Sequence, residues 1–344
     1  MNNNMDKELS QMMNEKREIP NNVRQSVDQA YDLIRSKGKK KKVQYVWKRI
    51  AAVACALIVT GIVLTNEHVI AGINGFFNFG DQGVEQALNN GFSQANDSVA
   101  TDKDIKITLG NYFLDKNKLG VSFQLEFEDP TVLKSMEDMS IDYRIKNGDG
   151  EYIVEFIPDT KPLKGEERYI SGLDYQLSNV DESTGRAQLD VLMESHQGNI
   201  PTLEDAVVEV ESVNVFYDID KLEKIDGDWK LSVTNPEKQN VDTLVQYVMQ
   251  DASSTIQVSE ANANPTSLHI SFKVDGTYED ESTFVDQMKV IDEDGKEYFS
   301  NGFSRVLKNN ETIISTNFPF TSYNTSNYLK LMIDGIGEVD LIKQ

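Results

Sequence analysis

Cysteine, histidine and basic residues are scarce in this chain, and each shortage removes a class of function. The single cysteine, Cys55, leaves no intramolecular disulfide and no zinc–thiolate cluster. The three histidines, His68, His196 and His269, stand alone, with no second imidazole within helical reach. A His-rich metal site is therefore not expected. Across 344 residues, 34 Lys+Arg face 56 Asp+Glu, a net charge of −22. Nucleic-acid binders carry a basic field, so no nucleic-acid partner is expected. G-x-S-x-G, H-E-x-x-H, a phosphate loop and a dinucleotide fingerprint are all missing. No catalytic residue, cofactor site or metal site can be named, and the chain reads as a non-enzyme. Asp292-Glu-Asp-Gly-Lys-Glu297 has the outline of a calcium loop but lacks the alternate-position carboxylates and the closing glutamate. Asp218-Ile-Asp220 and Asp226-Gly-Asp228 are similar, and turn chemistry accounts for all three.

What is present is an uneven distribution of charge. Residues 1–49 hold 12 basic and 6 acidic residues, and the stretch 50–66 holds none of either sign. The remainder holds 22 basic against 50 acidic residues. A basic head and an acidic body thus flank an apolar run, which is a membrane-topology pattern. At 1.5 Å per residue the uncharged run rises about 25 Å, slightly short of a hydrocarbon core of about 30 Å. Val46 and Trp47 extend it, Lys48 and Arg49 reach the headgroups, and Tyr45 and Trp47 sit at interfacial depth. The expected transmembrane helix covers 45–66, with Tyr45, Trp47, Lys48 and Arg49 at the interface with the lipid bilayer. Three rivals fit less well. A signal peptide would need a 49-residue basic region, a buried core helix would not adjoin the Lys37 and Lys39–Lys42 cluster, and a lipoprotein cysteine would end the apolar run. Positive-inside orientation puts the N-terminus in the cytoplasm and the C-terminus outside a single-pass cell membrane. A disulfide-free exterior suits a bacterial surface.

The cytoplasmic head, 1–44, reads as short helices. Met5, Leu9, Met12 and Met13 recur at helical spacing, and Pro20 opens a second segment. There Val23, Val27, Ala30, Tyr31 and Ile34 form one apolar stripe over 21–36. Forty-nine residues are too few for an independent core. The stripe either packs on the first helix, hangs as an amphipathic tail, or docks into a partner groove.

Beyond the anchor, 67–97 contains a short helix around Val84, Ala87 and Leu88, ending near Gly91. From Asp104 the hydrophobic period becomes two. Ile105, Ile107 and Leu109 alternate, as do Leu119, Val121, Phe123, Leu125 and Phe127, a half-buried strand signal. Asp115-Lys-Asn-Lys118 reads as the turn between them. Asn147-Gly-Asp-Gly150 and Asp292-Glu-Asp-Gly295 read as hairpin turns. Further strands are expected at 207–217, 229–233, 241–249, 268–274, 288–291, 312–318 and 328–333. The fold class is mainly β, with short cytoplasmic helices, one transmembrane helix and two sandwich-like extracytoplasmic domains over 98–235 and 236–344.

The order of these features resembles a Gram-positive family of bitopic membrane proteins that is anti-sigma-factor-like and carries a domain of unknown function. The carrying residues are Trp47-Lys-Arg49 with the apolar anchor, Gly72-Ile-Asn-Gly-Phe-Phe-Asn-Phe-Gly-Asp81, Val84-Glu-Gln-Ala-Leu88, Ile105-Lys-Ile-Thr108, Asp115-Lys-Asn-Lys-Leu-Gly-Val-Ser-Phe123 and Ile225-Asp-Gly-Asp-Trp-Lys230. The C-terminal part is similar to the immunoglobulin-like domain that follows in such proteins. The resemblance implies a membrane regulator paired with a sigma factor, an external sensor of an unknown extracellular ligand, and sigma-factor contact through the stripe at Val23, Val27, Ala30, Tyr31 and Ile34. The zinc motif of a His followed by Cys-x-x-Cys is absent from the head. The other reading is a surface-anchored binding or adhesion module with no transcriptional role.

Overall fold

In the computed structural model the described residues are 77–344 apart from 78, 159, 166–168, 219–220, 234–243, 251–254 and 301. The expected head and transmembrane helix, with the residues named for them, lie outside that set. All described residues belong to one compact unit, Thr65–Gln344. Among them, no helix is long and apolar enough to cross a membrane. They are mainly strand, as the period-two patterning implies.

One helix, α1 (Gln82–Asn89), precedes the strands. Asp81 starts it, its Oδ1 accepting from the backbone N–H groups of Gly83 at 2.9 Å and Val84 at 3.0 Å. Gly91, at φ +80°, follows its end, and the Phe92 N–H returns to the Ala87 carbonyl at 2.9 Å.

The first β module is built from β1 (Gln94–Ala95), β2 (Val99–Asp102), β3 (Ile105–Leu114), β4 (Lys118–Phe127), β5 (Asp138–Lys146), β6 (Tyr152–Phe156), β7 (Gly172–Asp181), β8 (Arg186–Glu194), β9 (Val207–Asp218) and β10 (Lys221–Ser232). One sheet runs β1-β3-β4-β8-β7, with β2 also paired to β3; the other runs β10-β9-β5-β6. Their facing sides share one apolar core that includes Ile107, Phe123, Leu125, Ile141, Tyr143, Leu189, Val191, Val213 and Trp229. The indole N–H of Trp229 donates to the Ile105 carbonyl at 2.9 Å and so ties the two sheets. Asp226-Gly-Asp228 is not a turn but part of a bulge inside β10. A Cβ on Gly227 would lie 2.4 Å from the Trp229 ring, so this bulge admits the indole only above a bare backbone.

The second module comprises β11 (Val245–Met249), β12 (Ile256–Ala263), β13 (Leu268–Asp275), β14 (Met288–Asp292), β15 (Glu297–Phe299), β16 (Phe303–Lys308), β17 (Glu311–Phe318), β18 (Tyr328–Ile333) and β19 (Gly337–Lys343). Strand order is β15-β14-β18-β19-β11-β12-β13-β17-β16. β11 changes partner midway: Val245 and Gln246 pair with β12, while Tyr247, Val248 and Met249 pair with β19. The sheet folds over at that strand, and Leu268, Ile270 and Phe272 from one half meet Val290, Leu329 and Leu331 from the other.

β4 departs from the half-buried expectation. Lys118 through Phe123 are all buried, on both faces. The outward side is covered by Phe77 and α1, which form a small third cluster with Phe113 and Leu192. Gly120 makes this possible, since a Cβ there would stand 2.2 Å from the Phe113 ring.

Candidate functional site

Two places in the described residues gather side chains in ways that folding alone does not demand. The first is the junction of the two modules. Its base is the β3–β4 turn. Asp115 Oδ1 accepts from the N–H groups of Asn117 and Lys118, both at 2.9 Å, which is the expected turn chemistry. Its Oδ2 points the other way and accepts from Thr266 of the second module, from the N–H at 2.9 Å and the hydroxyl at 2.6 Å. Asn117 accepts from the Asn264 amide. Burial pushes the Asp115 carboxyl above its ordinary value, against the pull of those four donors.

Lys118 stands beside this turn, with its side chain 2% exposed. Its ammonium pairs with Asp81 and lies 3.8 Å from Glu194 Oε1 at the end of β8. Burial alone would push the ammonium down, but Glu194, Asp81 and Asp115 hold it above its ordinary value. Burial likewise pushes the Glu194 carboxyl up, yet Lys118, His196 and Asn317 outweigh it and hold the group at about 2. Asn317 on β17 spans the modules: its amide donates to Glu194 at 2.8 Å and to the Ser195 carbonyl at 2.9 Å. Its amide oxygen meets His269 Nδ1 at 2.8 Å, so His269 is buried and partnered. His196 Nε2 lies 3.6 Å from Glu194.

The second place is a groove of about 480 Å³ at the open edge of the first module, between β6 and the start of β7. Ile153, Val154, Phe156, Ile170 and Leu173 line it, with Glu155 and Lys161 at its rim. Residues 160–165 pass beside it and are fastened by Arg144, whose side chain is 2% exposed. Arg144 pairs with Glu155, donates from Nε to Glu211 at 2.8 Å and from Nη2 to the Pro162 carbonyl at 3.2 Å. Glu155 in turn accepts from the N–H groups of Lys164 and Gly165. Burial raises the Glu211 carboxyl, but Lys161 and Arg144 bring it to about 2.

Neither place was visible in the sequence as a site. Lys118 and Asp115 read there as turn residues, and Arg144 carries no signal of a site. Among the described residues, no cluster of three or more His, Cys, Asp or Glu could hold a metal. Asp292 behaves as a turn residue, its Oδ1 accepting from the N–H groups of Asp294 and Lys296 and its Oδ2 from the Tyr298 hydroxyl. The residues expected to contact a partner, Val23, Val27, Ala30, Tyr31 and Ile34, and those expected at the membrane interface, Tyr45, Trp47, Lys48 and Arg49, lie outside the described residues.

Residues 40–127 match the family model described as Domain of unknown function (DUF4179). That match runs from the basic cluster through the apolar stretch and α1 to the end of β4. No curated protein matches the chain. A crystal structure of a conserved domain protein from Bacillus anthracis is similar over 70% of this chain and 77% of that one, at 15% identity and a TM-score of 0.43.

Proposed function

We propose that the chain is a single-pass membrane regulator, anti-sigma-factor-like, whose external modules sense an extracellular event and whose cytoplasmic helix sequesters a sigma factor. The observation that carries this reading is the division of charge around residues 50–66. Residues 1–49, with 12 basic and 6 acidic residues, precede the uncharged run, and 22 basic and 50 acidic residues follow it. Two further observations agree with it. The family match, 40–127, spans the uncharged run and the first strands of the β body in sequence. The second module, with its first strand shared between two halves of a folded sheet, suits an immunoglobulin-like assignment. In this reading Val23, Val27, Ala30, Tyr31 and Ile34 form the sigma-factor contact, and Tyr45, Trp47, Lys48 and Arg49 seat the anchor.

One observation favours the second reading, a surface-anchored binding module. The groove between β6 and β7 is an external concavity lined by apolar side chains. Deleting residues 1–36 separates the two. The regulator reading expects transcription of a sigma-dependent gene set to rise while the chain stays membrane-bound. Unaltered transcription with an intact external phenotype would leave the head as an anchor alone.

A further inference from the structure

Hydrogen bonds join the two β modules directly: Asp115 with Thr266, Asn117 with Asn264, Asn317 with Glu194 and Ser195, and Ser304 with the His196 carbonyl. Their apolar cores are separate clusters. Modules joined by a polar interface move relative to one another by default. Here a third element reaches both. Phe77 and Val84 sit against Phe113 and Leu192 of the first module, and the Phe77 N–H donates to the buried Asp190 of β8 at 3.1 Å. On the other side, Gln86 Oε1 accepts from the Thr321 hydroxyl of the second module at 2.9 Å. Gly83 lies so close to the Thr266 backbone that a Cβ would fall 2.1 Å from its carbonyl oxygen. The Asp81 that caps α1 is also the partner of Lys118.

We propose that α1 is a releasable key that locks the two β modules into one body. A helix of eight residues is not stable by itself in water, so it is folded when docked and unfolded when released. The apolar cluster that seats it has four buried members, Phe77, Val84, Phe113 and Leu192, with Phe79, Leu88 and Phe92 packed against them, and is small beside either core. Release exposes Lys118 and Glu194 to water, and the remaining polar contacts then exchange with solvent. The key is also well placed to be turned. It is the first helix among the described residues, ahead of every strand of both modules in the chain. The inference is independent of the sigma-factor reading, since its consequence lies wholly within the external modules.

The test uses the full chain with Cys55→Ser and spin labels on cysteines placed at Asp174 of β7 and Lys296 beside β15, both exposed. Gly83→Val blocks the seat against Thr266 without touching either core. With it, amide exchange over 82–89 should quicken about tenfold or more, and the inter-module distance distribution should broaden about twofold. Exchange inside β5 and β13 should not change, which controls for folding. If Gly83→Val fails to fold, Val84→Ala with Gln86→Ala keeps the helix cap and the Lys118 pair and is read the same way. A distance distribution as narrow as the parent's while 82–89 exchanges freely would overturn the proposal, because the modules would then be locked without α1. Unchanged exchange over 82–89 would overturn it equally, because the Gly83 seat would not govern docking.

Discussion

Lys118 and Asp81 form an ion pair with side chains 2% and 6% exposed, joining the inner end of β4 to the cap of α1. Glu194 shares the ammonium at 3.8 Å. A pair this dry stabilises little when whole but costs much when one member is removed, because the other charge is stranded. Lys118→Met should destabilise the folded chain by about 3–5 kcal/mol. Lys118→Met with Asp81→Asn should recover part of that loss. Equilibrium urea denaturation reads both; a loss below about 1 kcal/mol would mean that the pair is solvated.

Glu194 and Glu211 are held at about 2, well below the ordinary carboxylate value of 4.5. A carboxyl depressed in the folded state contributes stability that is fully present above its unfolded pKa. That contribution is lost as pH falls through the folded value. Stability should therefore decline between about pH 4.5 and pH 2, and Glu194→Gln should flatten part of the decline. Thermal midpoints across that range check it. An identical slope in the variant would remove Glu194 from the account.

Gly227 leaves no room for a side chain beneath Trp229. Gly227→Ala should cost about 1–3 kcal/mol by forcing the indole or the β10 bulge to shift. Trp229 emission should move to longer wavelength as its N–H leaves the Ile105 carbonyl. A neutral substitution with unchanged emission would contradict the packing described.

Arg144 fastens residues 160–165 through one planar fork that serves Glu155, Glu211 and the Pro162 carbonyl. Arg144→Lys keeps the charge but not the fork. Limited proteolysis should cut within 157–170 faster in Arg144→Lys than in the parent. Cutting at the parent's rate would show that the segment is held by something else.

Much of the β framework could be read from alternation. Leu119 to Phe127, the hairpins around Asn147 and Asp292, and the strands at 268, 312 and 328 lie where the period-two pattern puts them. The short helix at Val84–Leu88 also does. β7 and β8 are not among the expected strands, although Ala187, Leu189, Val191 and Met193 of β8 alternate inward, because they fall in a stretch dense with Asp, Ser and Gln. The junction was not legible because its partners are far apart in the chain, as with Asp115 and Thr266, 151 residues away. Local patterning also hides a second buried face: Lys118, Gly120 and Ser122 look like the solvent side of a strand until α1 is laid over them.

The central claim, that the head holds a sigma factor, is tested most directly by co-purification. The full chain is isolated from cells beside Val27→Asp/Ile34→Asp, both still in the membrane fraction. The account predicts a sigma factor with the parent chain and none with the variant. Equal recovery with both, or no sigma factor with the parent, would contradict it.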